Sequence, residues 1–483
     1  MSKPAQYPLE PAALWEHFYQ ITQIPRPSGE EAALREHIIS LAQQNACEWR
    51  QDDAGNLVVY VAGSAGREQE SAVVIQNHLD MVTVKTDDKQ HDFSKDGLTL
   101  QVEEGWLLAD RTTLGADNGL GCAAALALIT DSSLLHPPLE ILFTVEEETG
   151  LYGATDLDAS LLSGQRMLNL DTEDWGELFI GCAGGRGWIM RRLLEKVKAS
   201  GDVEYWQLNL RGLAGGHSGI QIHQQLGNAI KMLGQWLIEA QAMGLRLIAF
   251  DGGVAHNVIP REANLTFCCA PSLQEQLESL NQRMLSRWRS YLPDADQALE
   301  LSLQTAEADA PLTEQAQHSF QQLLMLFPHG AISYNQQQPA DLVDLSINLA
   351  LVRVDADGLY LETTLRYFNA EEAQGLEQQV LSIAQWLDAE LETTIDYPGW
   401  QPDFDSPLLA QAAALSEELF GEKPAIKAIH AGLECGILKS KKDAMDVISF
   451  GPTIRGAHSP RERLDISTVP AFWQLLTTLL ARL

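Results

Sequence analysis

The first third of the chain alternates short apolar runs with amphipathic stretches. Residues 11–24 place Leu14, Phe18 and Ile21 on one face at helical spacing, and Pro25 and Pro27 end that pattern. Ser28, followed three residues later by Glu31, has the form of a capping box and predicts a helix to about Gln44. Asn56–Val61 reads as a strand, and Ala72–Ile75 as a short apolar strand that stops at Gln76-Asn77-His78. Gly121–Ile129 is Ala/Leu-rich and helical. Leu139–Val145 is a strong β run that stops at Glu146-Glu147-Glu148, and Met167–Leu170 a shorter one that stops at Asp171. Strands alternating with helices predict an α/β fold, a mostly parallel sheet flanked by helices.

From about residue 186 the pattern changes. Trp206–Leu213 alternates like a half-exposed strand, and a helix follows over about 227–242. Strands are predicted near 246–251 and 263–269, then helices over 272–291 and 312–326. Two longer strands near 345–354 and 358–367 precede a helix over 371–392. The order strand–strand–helix thus occurs twice, which predicts an inserted α+β domain over 186–399, readable as two related halves. After Pro398-Gly399-Trp400 the α/β pattern returns. Asp446–Phe450 reads as a strand leading into the loop that holds His458, and a final apolar helix begins near Val469. The expectation is one discontinuous domain, residues 1–185 and 400–483, interrupted by a lid domain.

Charge narrows the function. The 483 residues carry 33 Lys+Arg against 66 Asp+Glu, a net charge of −33. No basic footprint exists for nucleic-acid phosphates, and an anionic membrane surface would repel the chain. Hydrophobic content of 45% and charged content of 20% fit a globular protein. No window approaches the roughly 18 uninterrupted apolar residues of a membrane span, and Met1–Leu9 contains no apolar leader core. The expected location is the cytoplasm. The six cysteines, at 47, 122, 182, 268, 269 and 435, show no CxxC pair. They read as small apolar residues in a reducing compartment, with Cys268 and Cys269 on opposite faces of a strand.

The candidate chemistry lies where predicted strands stop. His78 and Asp80 follow one strand, Glu147 and Glu148 a second, Asp171 a third, and His458 lies beyond a fourth. Asp117 joins them from the turn before the Ala/Leu-rich helix. Open α/β sheets bind ligands outside the carboxyl ends of their strands. Each residue alone has a plainer reading, such as a turn, a helix cap or a solvated acidic run; their shared placement points to a site. Two histidines and several carboxylates without sulfur suit Zn²⁺, Mn²⁺ or Co²⁺, and there are ligands enough for two ions.

Five segments resemble the motifs of the M20 metallopeptidase family. They are Asn77-His78-Leu79-Asp80-Met81-Val82, Thr113-Leu114-Gly115-Ala116-Asp117-Asn118-Gly119, Glu147-Glu148-Thr149-Gly150, Gly215-Gly216-His217-Ser218-Gly219 and Gly456-Ala457-His458-Ser459-Pro460. Cys182-Ala183-Gly184-Gly185, Ile429-His430-Ala431-Gly432-Leu433-Glu434-Cys435-Gly436 and Gly451-Pro452-Thr453-Ile454 resemble a dipeptidase subgroup within it. The resemblance implies that Asp117 bridges two divalent metal ions, Zn²⁺ first among them, with Mn²⁺ or Co²⁺ as alternatives. His78 and Asp171 would complete one ion's ligands, and Glu148 and His458 the other's. Asp80 would orient His78, and Glu147 would be the general base; a register one residue earlier would shift the base and ligand roles of Glu147 and Glu148 to Glu146 and Glu147. The peptide bond after Asp117 would be cis.

On the same resemblance His217 supplies an oxyanion donor, either within the chain or from a partner in a homodimer. Asn257 would help bind substrate. Arg366 is a candidate for the substrate carboxylate, with a strand-surface charge as an equal reading. His430 and Gly432 line the substrate pocket or serve the loop that carries them. His223 and His256 are left as structural. The implied activity is hydrolysis of unblocked dipeptides, Xaa-His dipeptides included. The alternative is an amidohydrolase acting on N-acyl amino acids or tripeptides.

Overall fold

A computed structural model of the chain describes residues 3–335 and 342–483. The chain forms two compact units. The first comprises Met1–Cys182, Trp400–Ala428 and Leu433–Leu483, and the second Ala183–Gly399 with Ile429–Gly432. The short segment Ile429–Gly432 therefore groups with the insert, although it lies beyond residue 399.

The first unit is built on an eight-stranded sheet. Its four central strands are Leu139–Thr144, Val73–His78, Arg166–Asn169 and Asp446–Ser449, neighbours in that order and all parallel. Val73–His78 and Leu139–Thr144 are buried along their whole length, as expected of strands covered on both faces. Leu57–Val61 and Glu48–Gln51 extend one side antiparallel. The helix Ala116–Thr130 is buried over nearly all its residues, because its Ala-rich surface lets it approach closely. A Cβ on Gly121 would stand 2.5 Å from Asn118 Oδ1 and 2.8 Å from the Leu170 carbonyl. Only glycine fits there.

The second unit holds a nine-stranded sheet, antiparallel in every pairing of its described residues. It reads as two nested halves. Glu204–Arg211, Arg246–Gly252, Ala263–Cys269 and Glu300–Thr305 stand in the spatial order fourth, first, third, second. Gly184–Arg192, Val343–Val354, Leu359–Tyr367 and Glu390–Tyr397 take the same order in reverse. Each half has two helices, so each has the split β-α-β-β-α-β arrangement. The halves join where Phe250 pairs with Val354. The helices Ala229–Glu239, Gln274–Arg289, Glu314–Leu326 and Ala370–Leu387 pack their apolar faces onto this sheet in one core. Each large side chain buried there contributes about 1.5–3 kcal/mol. Trp236 is buried with its indole N–H donated to Asn281 Oδ1 at 2.7 Å, so its polar atom is not stranded.

All six cysteines are free, and five are buried. No helix among the described residues is long and apolar enough to cross a membrane.

Candidate metal centre

The carboxyl ends of the central parallel strands converge on one cluster. His78 ends its strand fully buried, and its Nε2 lies 3.0 Å from Asp117 Oδ1 and 3.2 Å from Asp171 Oδ1. His458 Nε2 lies 3.2 Å from Asp117 Oδ2 and 3.0 Å from Glu148 Oε2. Asp117 thus turns one oxygen to each histidine. The Asp117–Asn118 peptide bond is cis. Of the eight described non-glycine residues with left-handed backbone, Glu146 at φ 52° and His458 at φ 61° belong to the loops of this cluster. Such strain collects where a fold aims residues at a site.

Electrostatics follow from this crowding. Burial would lower the His78 pKa, but Asp171, Asp117 and Asp80 outweigh it and hold it well above the usual imidazole range. Hydrogen bonds to Asp117 and Glu148 push His458 up to about 11. Burial lifts Asp171 to about 6, with Asp117 and Glu148 adding to the rise. Burial also drives Glu147 well above the carboxylate range, and the neighbouring Glu148, Asp171 and Glu434 carboxylates reinforce it. A carboxylate in such surroundings readily takes and holds a proton.

The donor set fits divalent cations. One atom each from His78, Asp117 and Glu148 lies within 4.8 Å of the others. Glu148 Oε1 is buried with no hydrogen-bond partner among the described residues. Carboxylates packed this closely need positive charge between them, and nitrogen and oxygen donors without sulfur suit Zn²⁺, Mn²⁺ or Co²⁺.

Besides Asp80, which the sequence reading named, several residues that it missed support the cluster. Asp80 Oδ1 stands 3.4 Å from His78 Nδ1, and the same carboxylate accepts the Glu147 and Glu148 backbone N–H groups at 3.1 Å each. Ser28 and Glu31 do not form a capping box. Ser28 Oγ donates to Asp80 Oδ2 at 2.7 Å, and Glu31 Oε1 accepts the Glu146 N–H at 3.0 Å, so both brace the acidic loop. The helix begins at Ala32 without a side-chain cap. Arg26 is buried and donates to the carbonyls of Leu79, Asp80 and Gly115. Glu462 accepts the backbone N–H groups of Leu114, Gly115 and Ala116 at 2.7–2.9 Å, holding the turn that carries Asp117. Its signal was its place four residues after His458.

The remaining expected residues gather in the second unit. His217 Nδ1 accepts the backbone N–H groups of Gly219 and Ile220, both at 3.1 Å. This fixes the neutral ring's proton on Nε2 and makes that nitrogen a donor. A Cβ on Gly219 would meet His217 Cε1 at 3.1 Å and Arg366 Nε at 3.2 Å, and would collide with the His430 carbonyl. Arg366 is buried and donates to Tyr397 Oη at 3.2 Å. Gly432 lies against the same tyrosine: a Cβ there would be 2.9 Å from Tyr397 Oη. His430 Nε2 pairs with Ser346 Oγ at 2.7 Å, and burial with the Arg366 charge lowers its pKa to about 3. Asn257 borders this group through its carbonyl, which accepts the Ser218 N–H at 2.8 Å.

A histidine–carboxylate cluster at the carboxyl edge of a parallel sheet defines a metallohydrolase. The chain belongs to peptidase family M20/M25/M40, whose model matches residues 74–482. It is an M20-type metallopeptidase. The chain is 38% identical to the cytosol non-specific dipeptidase of Escherichia coli (strain K12) over 474 residues, 98% of each chain. The solved aminoacylhistidine dipeptidase of Vibrio alginolyticus matches with a TM-score of 0.88 at 35% identity, covering 100% of this chain and 98% of that one. A tripeptidase of Staphylococcus aureus shares the fold, with a TM-score of 0.55 at 15% identity over 97% of each chain.

Proposed function

We propose that this protein hydrolyses unblocked dipeptides, Xaa-His dipeptides included, in the cytoplasm, using two divalent ions with Zn²⁺ as the first choice. The observation that carries the reading is the Asp117 carboxylate, which offers one oxygen toward His78 and the other toward His458. On this reading His78 and Asp171 would hold one ion, Glu148 and His458 the other, and Asp117 both. The similarity to dipeptidases over nearly the whole chain supports the substrate class.

Bound divalent ions supply Lewis acidity, which lowers the pKa of water from about 15.7 to near 7. Glu147 accepts the proton of the attacking water and delivers it to the leaving amine. Asp80 holds His78 in place and, through two backbone N–H groups, sets the loop that presents Glu147 and Glu148. His217, with its proton on Nε2, is the donor for the oxyanion. Arg366 matches the fork of the substrate carboxylate, with its guanidinium steadied by Tyr397. Asn257, His430 and Gly432 shape the pocket around that carboxylate.

The purified protein, loaded in turn with Zn²⁺, Mn²⁺ and Co²⁺, should cleave unblocked dipeptides and leave N-acetyl amino acids intact. Preference for N-acetylated substrates or tripeptides would replace this reading with an amidohydrolase or tripeptidase. Glu147→Ala should retain metal and lose turnover.

A further inference from the structure

Each of the four central strands places a buried polar residue level with His78 or one step beneath it in the register. These are Thr144, Gln76, Asn169 and Ser449, all with no exposed surface. Gln76 and Ser449 both stand opposite Asn169 in the strand register. A parallel sheet covered on both faces normally carries aliphatic residues at such positions. Polar groups buried there cost stability unless every one is paired.

The pairing is directional. Glu434 Oε2 lies 2.6 Å from both Gln76 Nε2 and Thr144 Oγ1. Gln76 Oε1 accepts from Asn169 Nδ2. Asn169 Oδ1 accepts from Ser449 Oγ and from the backbone N–H of Asp171, the latter at 3.3 Å. Thr144 Oγ1 also lies 3.1 Å from the Asn77 carbonyl. A threonine hydroxyl has one proton. If it goes to Asn77, the bond to Glu434 requires a proton on the acid. Glu434 itself is fully buried, with only neutral partners at Oε2 and none at Oε1 among the described residues. Burial raises its pKa to about 8, against the opposing pull of His78 and the Thr144 hydrogen bond.

The chain ends on the metal cluster at two points. Gln76 shares a strand face with His78, two residues on. Asn169 holds the amide of Asp171. We infer that Glu434 is a positioning residue of the hydrolytic site: it terminates and orients the hydrogen-bonded chain Glu434–Gln76–Asn169, which sets the placement of His78 and Asp171. The inference rests on the assignment of His78 and Asp171 as ligands, but not on the substrate.

The test compares Glu434→Gln with Glu434→Ala in the full-length protein. The amide oxygen, standing at the Oε2 position, can accept both from Gln76 Nε2 and from the Thr144 hydroxyl, so both contacts survive. Glu434→Gln should therefore keep both metal affinity and kcat close to wild type. Glu434→Ala should weaken Zn²⁺ binding by about 10–100-fold, the usual cost of removing a partner behind a metal ligand, and lower kcat with KM little changed. Zn²⁺ affinity is read by chelator competition without substrate, so it stands even if dipeptides prove to be the wrong class. Should Glu434→Ala fail to fold, Asn169→Leu breaks the same chain with a near-isosteric residue and should show the same loss. Wild-type Zn²⁺ affinity in the Ala or Leu variant would overturn the inference. So would a Gln variant as damaged as the Ala variant.

Discussion

Asp80 Oδ1 stands 3.4 Å from His78 Nδ1, on the side of the ring opposite the nitrogen that faces Asp117 and Asp171. The carboxylate also receives Ser28 Oγ and two backbone N–H groups of the acidic loop. It thereby ties the His78 strand to the loop that carries Glu147 and Glu148. Asp80→Ala is expected to weaken metal binding by about 10–100-fold. Calorimetric titration of the apo-protein with Zn²⁺ measures this, and an unchanged affinity would remove Asp80 from the centre.

Glu462 gathers three backbone N–H groups of the Asp117 turn into one buried carboxylate. Glu462→Ala strands those donors, each at about 1–3 kcal/mol when unpaired and dry. The variant should lose stability by at least about 2 kcal/mol in chemical denaturation. A midpoint equal to wild type would mean that water replaces the carboxylate without cost.

His217 presents Nε2–H because two backbone amides occupy Nδ1. Its replacement by Ala should lower kcat by roughly 10²–10³ and leave metal content unchanged. Steady-state kinetics on a dipeptide with parallel metal analysis separates the two. A full kcat would exclude His217 from the reaction.

The buried His430 imposes a pH dependence on the second unit. Its pKa is about 3 in the folded chain, against an ordinary 6.5. Between those values the unfolded chain binds the extra proton, so stability falls as the solution is acidified. The contribution is complete above about pH 6.5 and is lost at about 1.4 kcal/mol per pH unit below it. His430→Gln should show a shallower loss between about pH 6 and pH 4. Equal pH dependence of stability in the two proteins would show that His430 binds its proton equally well in the folded and unfolded chain.

Most of the candidate ligand residues could be singled out in the sequence because they follow the end of an apolar run, and a strand's end is a local feature of the chain. His78, Glu148 and Asp171 needed only the pattern of Val73–His78, Leu139–Thr144 and Arg166–Asn169 to be placed at one edge. The bracing residues were not legible. Glu462 reaches Asp117 across 345 positions, and Glu434 reaches Gln76 across 358. Ser28 and Glu31 were misleading for the same reason. Their spacing satisfies a local rule, yet their side chains bond to Asp80 and Glu146 instead.

The sequence by itself determined which side chains are candidate ligands, that the core sheet is α/β, and that an α+β insert interrupts it. The tertiary structure decided how those side chains are held. It also decided that two nested halves form one sheet, and that Gly219, Arg366, Tyr397, His430 and Gly432 lie together. The reason is physical. Periodicity and turn chemistry act over a few residues, whereas hydrogen bonds and close packing depend on which distant segments the folded chain brings within about 3 Å.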